Sequence, residues 1–269
     1  STSAECQALW TRVRAFASRW ETDPALSDAV AQINLTFDLA HDGGLYPNLY
    51  FRFQPALQAR ETAEPLAADV LAMFYKEPLV GRLMESLTTC YAQLPPGAYV
   101  NWIGAMMARP SAPLKITVRA VPNEALGSYL EAVGYPGRRE EIVQTTAHFA
   151  PLAEITALSI DANADGLCAR LGVEYSFNWP RHLLATSWTG LLDACVQQGW
   201  CSPARRTALY EWSGYYYEPL EHMVEPQTLR KAISHIKVIH DNGLAPTVKA
   251  YLYLGHDAIK KPRPVPSTM

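Results

Sequence analysis

The stretch Leu114 to Ala120, Leu-Lys-Ile-Thr-Val-Arg-Ala, decides the fold prediction for this chain. Its aliphatic residues alternate with Lys115, Thr117 and Arg119. Because successive side chains of a β-strand point to opposite faces, one face of this strand is aliphatic and the other carries two cations and a hydroxyl. A sandwich strand with its polar face in water has the same pattern, so this stretch alone leaves both interpretations open.

The same alternation returns along the chain in segments that pair as hairpins. Ile33 to Leu39 and Asn48 to Gln54 flank the turn Asp42-Gly43-Gly44, and their polar faces carry Asp38, Tyr50 and Arg52. The opening stretch pairs with Tyr99 to Ala108, which contains Trp102. We therefore predict antiparallel hairpins, each with one apolar face and one face that holds ionisable or aromatic residues.

Two more hairpins complete the set. The third joins Ile155–Asp161 to Cys168–Phe177 and carries Glu174 on its polar face. The fourth joins Ser234–His240 to Thr247–Leu254, with Lys249, Tyr251 and Tyr253 on one face of the closing strand. The tyrosine run at 215–217 before it is predicted to be a loop.

Helical spacing of apolar residues fills the chain between the hairpins. The predicted helices are Ala4–Trp20, Glu64–Tyr75, Pro78–Gln93, Glu124–Val133, Arg138–Phe149, Arg181–Gln198 and Pro203–Glu211. Each pair of helices can place an apolar stripe on the apolar face of a hairpin. The polar faces then either meet water on an open sheet or line the inside of a closed barrel, which removes exposed edges.

Composition bounds the class of protein. The 269 residues are 49% hydrophobic and 18% charged, with a net charge of -3, which argues against general nucleic-acid binding. The five cysteines include no CxxC pair, so neither a disulfide framework nor a thiolate zinc site is indicated and a cytoplasmic location is expected. No run of about 18 apolar residues predicts a membrane span.

The absence of a flexible linker favours one domain over two. We predict a single domain at 1–256, followed by a Pro-rich tail at 257–269.

This predicted architecture, an antiparallel barrel inside a layer of helices and built from αα-hairpin repeats, is similar to the ABBA prenyltransferase fold. The segment from Ile103 through Arg119 resembles the second repeat of cyanobactin-type peptide prenyltransferases, in which a Lys and an Arg stand four apart on one strand. Asp38 ahead of Arg52 resembles the repeat that carries an acid and a diphosphate-binding Arg, and Lys249-Ala250-Tyr251 resembles a Lys-x-Tyr element. The chain offers four hairpins where the family has five, and Asp38 where relatives commonly carry Glu.

The resemblance implies an α+β fold with a polar lumen, and transfer of a dimethylallyl or geranyl group from an allylic diphosphate to a peptide or aromatic acceptor. A cage of Arg52, Lys115, Arg119 and Lys249 would bind the diphosphate and stabilise it as it leaves. Shielding of the allyl cation is assigned to the aromatic residues Tyr50, Trp102, Tyr251 and Tyr253.

Removal of the proton that the acceptor loses is assigned to a carboxylate. Asp38 is the first candidate base and Glu174 the second. Trp, Tyr, His and Arg side chains are all possible acceptors, and two acids facing one cavity would suit a guanidinium. Mg²⁺ is expected to be auxiliary, because the chain has no Asp-rich run for it.

Other interpretations remain for single residues and for the whole chain. Each basic residue could lie on a solvated face, and each tyrosine could be a core or rim residue. The sequence from Asp161 to Gly166 imitates the start of an EF-hand, but Gly172 stands where its Glu is needed. A non-catalytic barrel that binds an anionic ligand or a peptide is the alternative function.

Overall fold

The computed structural model describes residues 4–39, 45–109, 111–217 and 227–258, and within these it gives no side-chain account of residues 38, 39, 215–217, 227, 228 and 256–258. The strands are β1 (Val30–Leu39), β2 (Leu45–Phe53), β3 (Tyr99–Ala105), β4 (Leu114–Arg119), β5 (Ile155–Asn163), β6 (Gly166–Ser176), β7 (Gly214–Tyr217), β8 (Gln227–Asp241) and β9 (Thr247–Ala258). The α-helices are α1 (Ala4–Thr22), α2 (Pro24–Ala29), α3 (Arg60–Ala72), α4 (Leu79–Ala92), α5 (Asn123–Ala132), α6 (Arg139–Phe149), α7 (Thr189–Gln197) and α8 (Pro203–Trp212).

The strands form one antiparallel sheet in the order β1-β2-β3-β4-β5-β6-β8-β9. The short strand β7 pairs with the first part of β8, from Thr228 to Lys231, whereas β6 pairs with its last part, from Ile236 to Asp241. The prediction of a loop at 215–217 is therefore wrong for the backbone, which adds β7 to the sheet.

The sheet is curled, because residues from its two terminal strands line one cavity. Thr36 and Phe37 of β1 and Lys249 and Tyr251 of β9 all contribute to that cavity. Over the described residues, β1 and β9 are not hydrogen-bonded to each other. The predicted α+β class and antiparallel sheet are thus observed, and the described strands form a half-barrel, which is compatible with the predicted barrel, whose closure stays a prediction.

The apolar faces of the strands pack against helices in one core, as the alternation predicts. Leu114, Ile116 and Val118 of β4 are fully buried there, together with Leu83 and Leu87 of α4. The opposite face of β4 is also shielded from water, since only 6% of Lys115 and 5% of Thr117 is exposed. The alternative of a β4 strand with its polar face in water is therefore excluded.

Turn chemistry fixes the hairpin ends. Asn242 and Gly243, between β8 and β9, both have positive φ, which matches the backbone twist of a tight antiparallel hairpin. Between β5 and β6, the Asp165 N–H donates to Asn163 Oδ1 at 2.8 Å, and Gly166 has positive φ. The segment that imitates an EF-hand is thus the end of β5 followed by this turn.

Candidate functional site

A cavity of about 450 Å³ lies on the inner, concave face of the sheet, and we call it the inner cavity. Basic side chains from several strands and one loop converge on it, with a single acid among the described residues that line it. The charged and aromatic members of this lining are Arg109, Lys115, Arg170, Lys237, Lys249, Asp161, Tyr50, Tyr251 and Phe37.

Lys115 and Asp161 form a buried ion pair at the wall of this cavity. They are opposite each other on neighbouring strands β4 and β5, and the Lys115 ammonium donates to Asp161 Oδ1. Asp161 Oδ2 lies 3.8 Å from Arg170 Nη1. Burial lowers the pKa of the Lys115 ammonium, and the Asp161 carboxylate opposes this shift.

A second buried pair lies beside the first. Lys237 Nζ donates to Glu174 Oε1 and to Ser159 Oγ, both at 2.8 Å. Gly172 makes this arrangement possible, because a Cβ there would lie 2.6 Å from Lys237 Cε. Burial alone would raise the pKa of Glu174, but Lys237 and, less strongly, His235 lower it below its usual value.

Aromatic rings border the two ion pairs. The Tyr50 ring covers Gly104, where a Cβ would lie 2.9 Å from a ring carbon, and burial raises the pKa of this tyrosine. The ring of Tyr251 stacks on His235 with centroids 4.1 Å apart, and the Lys237 ammonium lies 5.8 Å from the Tyr251 ring centre. A cation in the cavity would therefore be near the faces or edges of tyrosine rings.

Arg52, Trp102 and Arg119 share the inner face with these residues but do not line the cavity. The Arg52 guanidinium lies 5.2 Å from the Trp102 ring centre and donates to Gln32 Oε1 at 3.0 Å. With the Asn101 amide oriented to suit its neighbours, its oxygen accepts from Trp102 Nε1 at 2.9 Å and Arg119 Nε at 3.2 Å. This second group of side chains lies near the end of the sheet at which β2 and β4 lead into helical segments.

Tyr253 belongs to a third environment. Its hydroxyl accepts from Arg230 Nη2 at 3.2 Å, and its ring meets His182 edge-on. Tyr253 does not line the inner cavity.

The structure thus places some of the predicted site residues at the inner cavity and others away from it. Lys115, Lys249, Tyr50 and Tyr251 line the inner cavity, and Glu174 contacts it through Lys237. The side chain of Asp38 lies outside the described residues, so its place at the site stays a prediction.

Sequence reasoning missed four charged residues that line the cavity: Arg109, Asp161, Arg170 and Lys237. The alternation in β5 and β8 could have indicated Asp161 and Lys237, since each stands between apolar neighbours on a strand. Arg109 lies after the end of β3, in a loop with no periodic pattern.

The described residues contain no group of three or more His, Cys, Asp or Glu that could hold a metal ion. In the described part of the chain, no helix is both long enough and apolar enough to cross a bilayer.

No family model matches the chain, and no match is found among curated proteins or solved structures.

Acidification is expected to destabilise the fold before the carboxylates titrate. Burial lowers the pKa of His235, an effect that Glu174 opposes and Lys237 and Arg119 reinforce, and burial also lowers the pKa values of His182 and His240. Below about pH 6.5 the unfolded chain binds protons that the folded chain does not, so the free energy of unfolding falls as pH falls. Urea unfolding at about pH 7.5 and about pH 5.5 measures this loss.

A His235→Gln variant is the control for this prediction. Its stability should decline less steeply than that of the wild type over the same interval. A His235 ring that is still protonated above about pH 6.5 by NMR would contradict the expected direction.

Proposed function

We propose that the inner cavity binds an allylic diphosphate and that the protein transfers the prenyl group, dimethylallyl or geranyl, to a side chain of a peptide or aromatic acceptor. One observation carries this proposal: five basic side chains converge on a cavity that contains one acid among its described lining residues. The volume of about 450 Å³ is within the usual range for small-molecule sites.

The basic residues supply what ionisation of the donor needs. When the C–O bond of the allylic diphosphate breaks, its electron pair stays on the diphosphate. Lys115, Lys249 and Lys237 would hold that growing negative charge, and two of them, Lys115 and Lys237, are shielded from water, with 6% and 8% of their surfaces exposed. The paired positions of Lys115 and Lys237 fix two of these ammonium groups before the ligand arrives.

The tyrosines supply the second requirement, which is protection of the allyl cation. Tyr50 and Tyr251 present aromatic rings to the same cavity. Ring faces attract cations by about 0.5–2 kcal/mol each. The raised pKa of Tyr50 keeps its hydroxyl protonated at neutral pH.

A non-catalytic barrel that binds an anionic ligand or a peptide is the second candidate. It is favoured by the internal pairing of Lys115 with Asp161 and of Lys237 with Glu174, which partly neutralises the cavity. A ligand with charges of both signs would suit such a lining as well as a diphosphate does.

Incubation with dimethylallyl or geranyl diphosphate and a panel of peptides containing Trp, Tyr, His or Arg separates these functions. We expect an acceptor peptide to gain the mass of one prenyl group while diphosphate is released. Isopentenyl diphosphate is the matched control, because its C–O bond does not give an allyl cation. Donor binding without product would favour the binding barrel.

A further inference from the structure

A second cavity, of about 550 Å³, opens at the hairpin-turn end of the sheet, and we call it the outer cavity. Its described lining comes from the β3–β4 connection, from β5 and β6, and from the β8–β9 turn. Three charged residues, Arg109, Asp161 and Arg170, line both this cavity and the inner one. The two cavities therefore adjoin, and Asp161 is the acid at their junction.

The two carboxylate oxygens of Asp161 have different surroundings. Oδ1 accepts a hydrogen bond from the Lys115 ammonium, whereas Oδ2 is 3.8 Å from Arg170 Nη1, which is longer than a hydrogen bond. Arg170 is itself shared, since its Nε lies 3.9 Å from Asp241 Oδ2. Oδ2 of Asp161 is thus at ion-pair but not hydrogen-bond distance from Arg170, in a residue that lines both cavities.

Glu174 is less suited to meet an acceptor. Its carboxylate accepts from Lys237, much as Asp161 accepts from Lys115, but Glu174 does not line either cavity. The lowered pKa of Glu174 also weakens it as a base.

We propose that the acceptor reaches the prenyl donor through the outer cavity and that Asp161 takes the proton that the acceptor loses. This inference rests on the proposed function and adds to it the residue that serves the acceptor. The acceptor nucleophile forms a bond to the allylic carbon, its bond to hydrogen breaks, and the proton moves to Asp161 Oδ2. The diphosphate leaves with the electron pair of the C–O bond, so charge and atoms balance.

The donor itself would favour this step. A diphosphate beside Lys115 places negative charge close to Asp161, and nearby negative charge stabilises a protonated carboxyl group.

Asp161→Asn tests the assignment, and Asp165→Asn, an exposed acid in the turn of the same hairpin, is the matched control. We expect transfer to the acceptor to fall by about 10²–10⁴ in Asp161→Asn, the usual effect of losing a positioned base. Donor affinity and the slow conversion of the donor to its alcohol by water should persist. Asp165→Asn should transfer at the wild-type rate.

The other outcomes are distinct. Transfer at the wild-type rate in Asp161→Asn overturns the assignment, as does a parallel loss of donor binding, solvolysis and transfer, because Asp161 would then only hold Lys115. A wild-type protein that consumes no allylic diphosphate overturns the proposed function, and this assignment with it.

Ala112→Trp tests the outer cavity as the acceptor's route without replacing a buried residue. Ala112 lines the outer cavity but not the inner one, and a tryptophan there would fill part of it. We expect a raised KM for the acceptor with unchanged donor affinity. An unchanged KM for every acceptor that the wild type accepts would rule out the outer cavity as the route.

Discussion

Replacing Lys115 and Lys249 together by methionine is expected to weaken binding of an allylic diphosphate by about 10²–10⁴-fold. Both side chains line the inner cavity, and they come from β4 and β9, which approach it from different parts of the sheet. A hydrogen bond to a charged group contributes about 1.5–3 kcal/mol, so two lost contacts correspond to about 3–6 kcal/mol. Each 1.4 kcal/mol is a factor of ten in Kd.

Calorimetry with an unreactive thio-analogue of dimethylallyl diphosphate measures this affinity. The matched control is Lys76→Met with Arg139→Met, which removes the same net charge from residues outside the cavity lining. Its Kd should stay near the wild-type value, which would exclude a general charge effect. A Kd of the Lys115/Lys249 variant within about two-fold of the wild type would contradict the cage, since even one such contact contributes more than that.

Arg119→Met refines the same test. The sequence groups Arg119 with Lys115, whereas its guanidinium contacts Asn101 outside the inner cavity. If Arg119→Met lost as much donor affinity as the double variant, the diphosphate would lie close to Trp102 and outside the inner cavity.

Replacing Lys237 by methionine is expected to lower the free energy of unfolding by about 3–5 kcal/mol, because it leaves Glu174 without its cation in a shielded site. Lys237 is only 8% exposed, and its ammonium contacts both Glu174 and Ser159. Urea denaturation at neutral pH measures the change. The double variant Lys237→Met with Glu174→Gln should recover much of the loss, because no uncompensated charge then remains.

A surface ion pair provides the comparison. Arg60→Met breaks the Arg60–Glu64 pair of α3, whose N–O distance is 2.9 Å and whose arginine is exposed. That change should cost only about 0.3–0.5 kcal/mol. Equal losses for Arg60→Met and Lys237→Met would contradict a shielded environment for the inner pair.

The pH dependence of the Lys237→Met variant has a definite sign. In the wild type, the lowered pKa of Glu174 contributes stability that is present above the usual carboxyl pKa of about 4.3 and is lost as pH falls through the folded value. Without Lys237 the pKa of Glu174 rises. With burial no longer opposed by Lys237, the folded variant binds the Glu174 proton more readily than the unfolded chain, so the stability difference between Lys237→Met and the wild type should narrow as pH falls from neutral towards about 4.3.

Local patterns predicted the elements well where one physical rule dominated. Period-two alternation placed β4 at Leu114–Arg119, and helical spacing placed α4 at Leu79–Ala92, each within one residue of the predicted ends. The prediction was less accurate at 181–198, where two short 3-10 turns precede α7. Propensity does not distinguish a 3-10 turn from the first turn of an α-helix.

The tyrosine run shows the limit of local reasoning more clearly. Aromatic residues favour strands, yet the stretch at 215–217 is predicted to be a loop that leads to the last hairpin. The backbone there is a strand because the edge of β8 beyond the end of β6 is available for pairing. A free edge is a property of the assembled sheet and has no signature in the sequence of β7.

The sequence by itself determined which side of each inner strand is polar. Because a strand has a period of two, the spacing of Lys115 and Arg119 on β4 and of Lys249 and Tyr251 on β9 places each pair on a single face. The apolar residues between them could only face the helices. A sheet with one polar and one apolar surface follows from this alternation and from the hairpin turns.

Only the tertiary structure decided which of these polar residues act together. Lys115 pairs with Asp161, 46 positions away, because β4 and β5 are neighbours in a fixed register. The same register leaves Arg52 and Arg119 outside the inner cavity and brings in Lys237 and Arg170. Local geometry determines on which face of the sheet a side chain lies. The position of that side chain along the sheet, and its interaction partner, depend on how separate hairpins align. Alignment depends on long-range packing of the whole sheet against its helices, which no single stretch of sequence encodes.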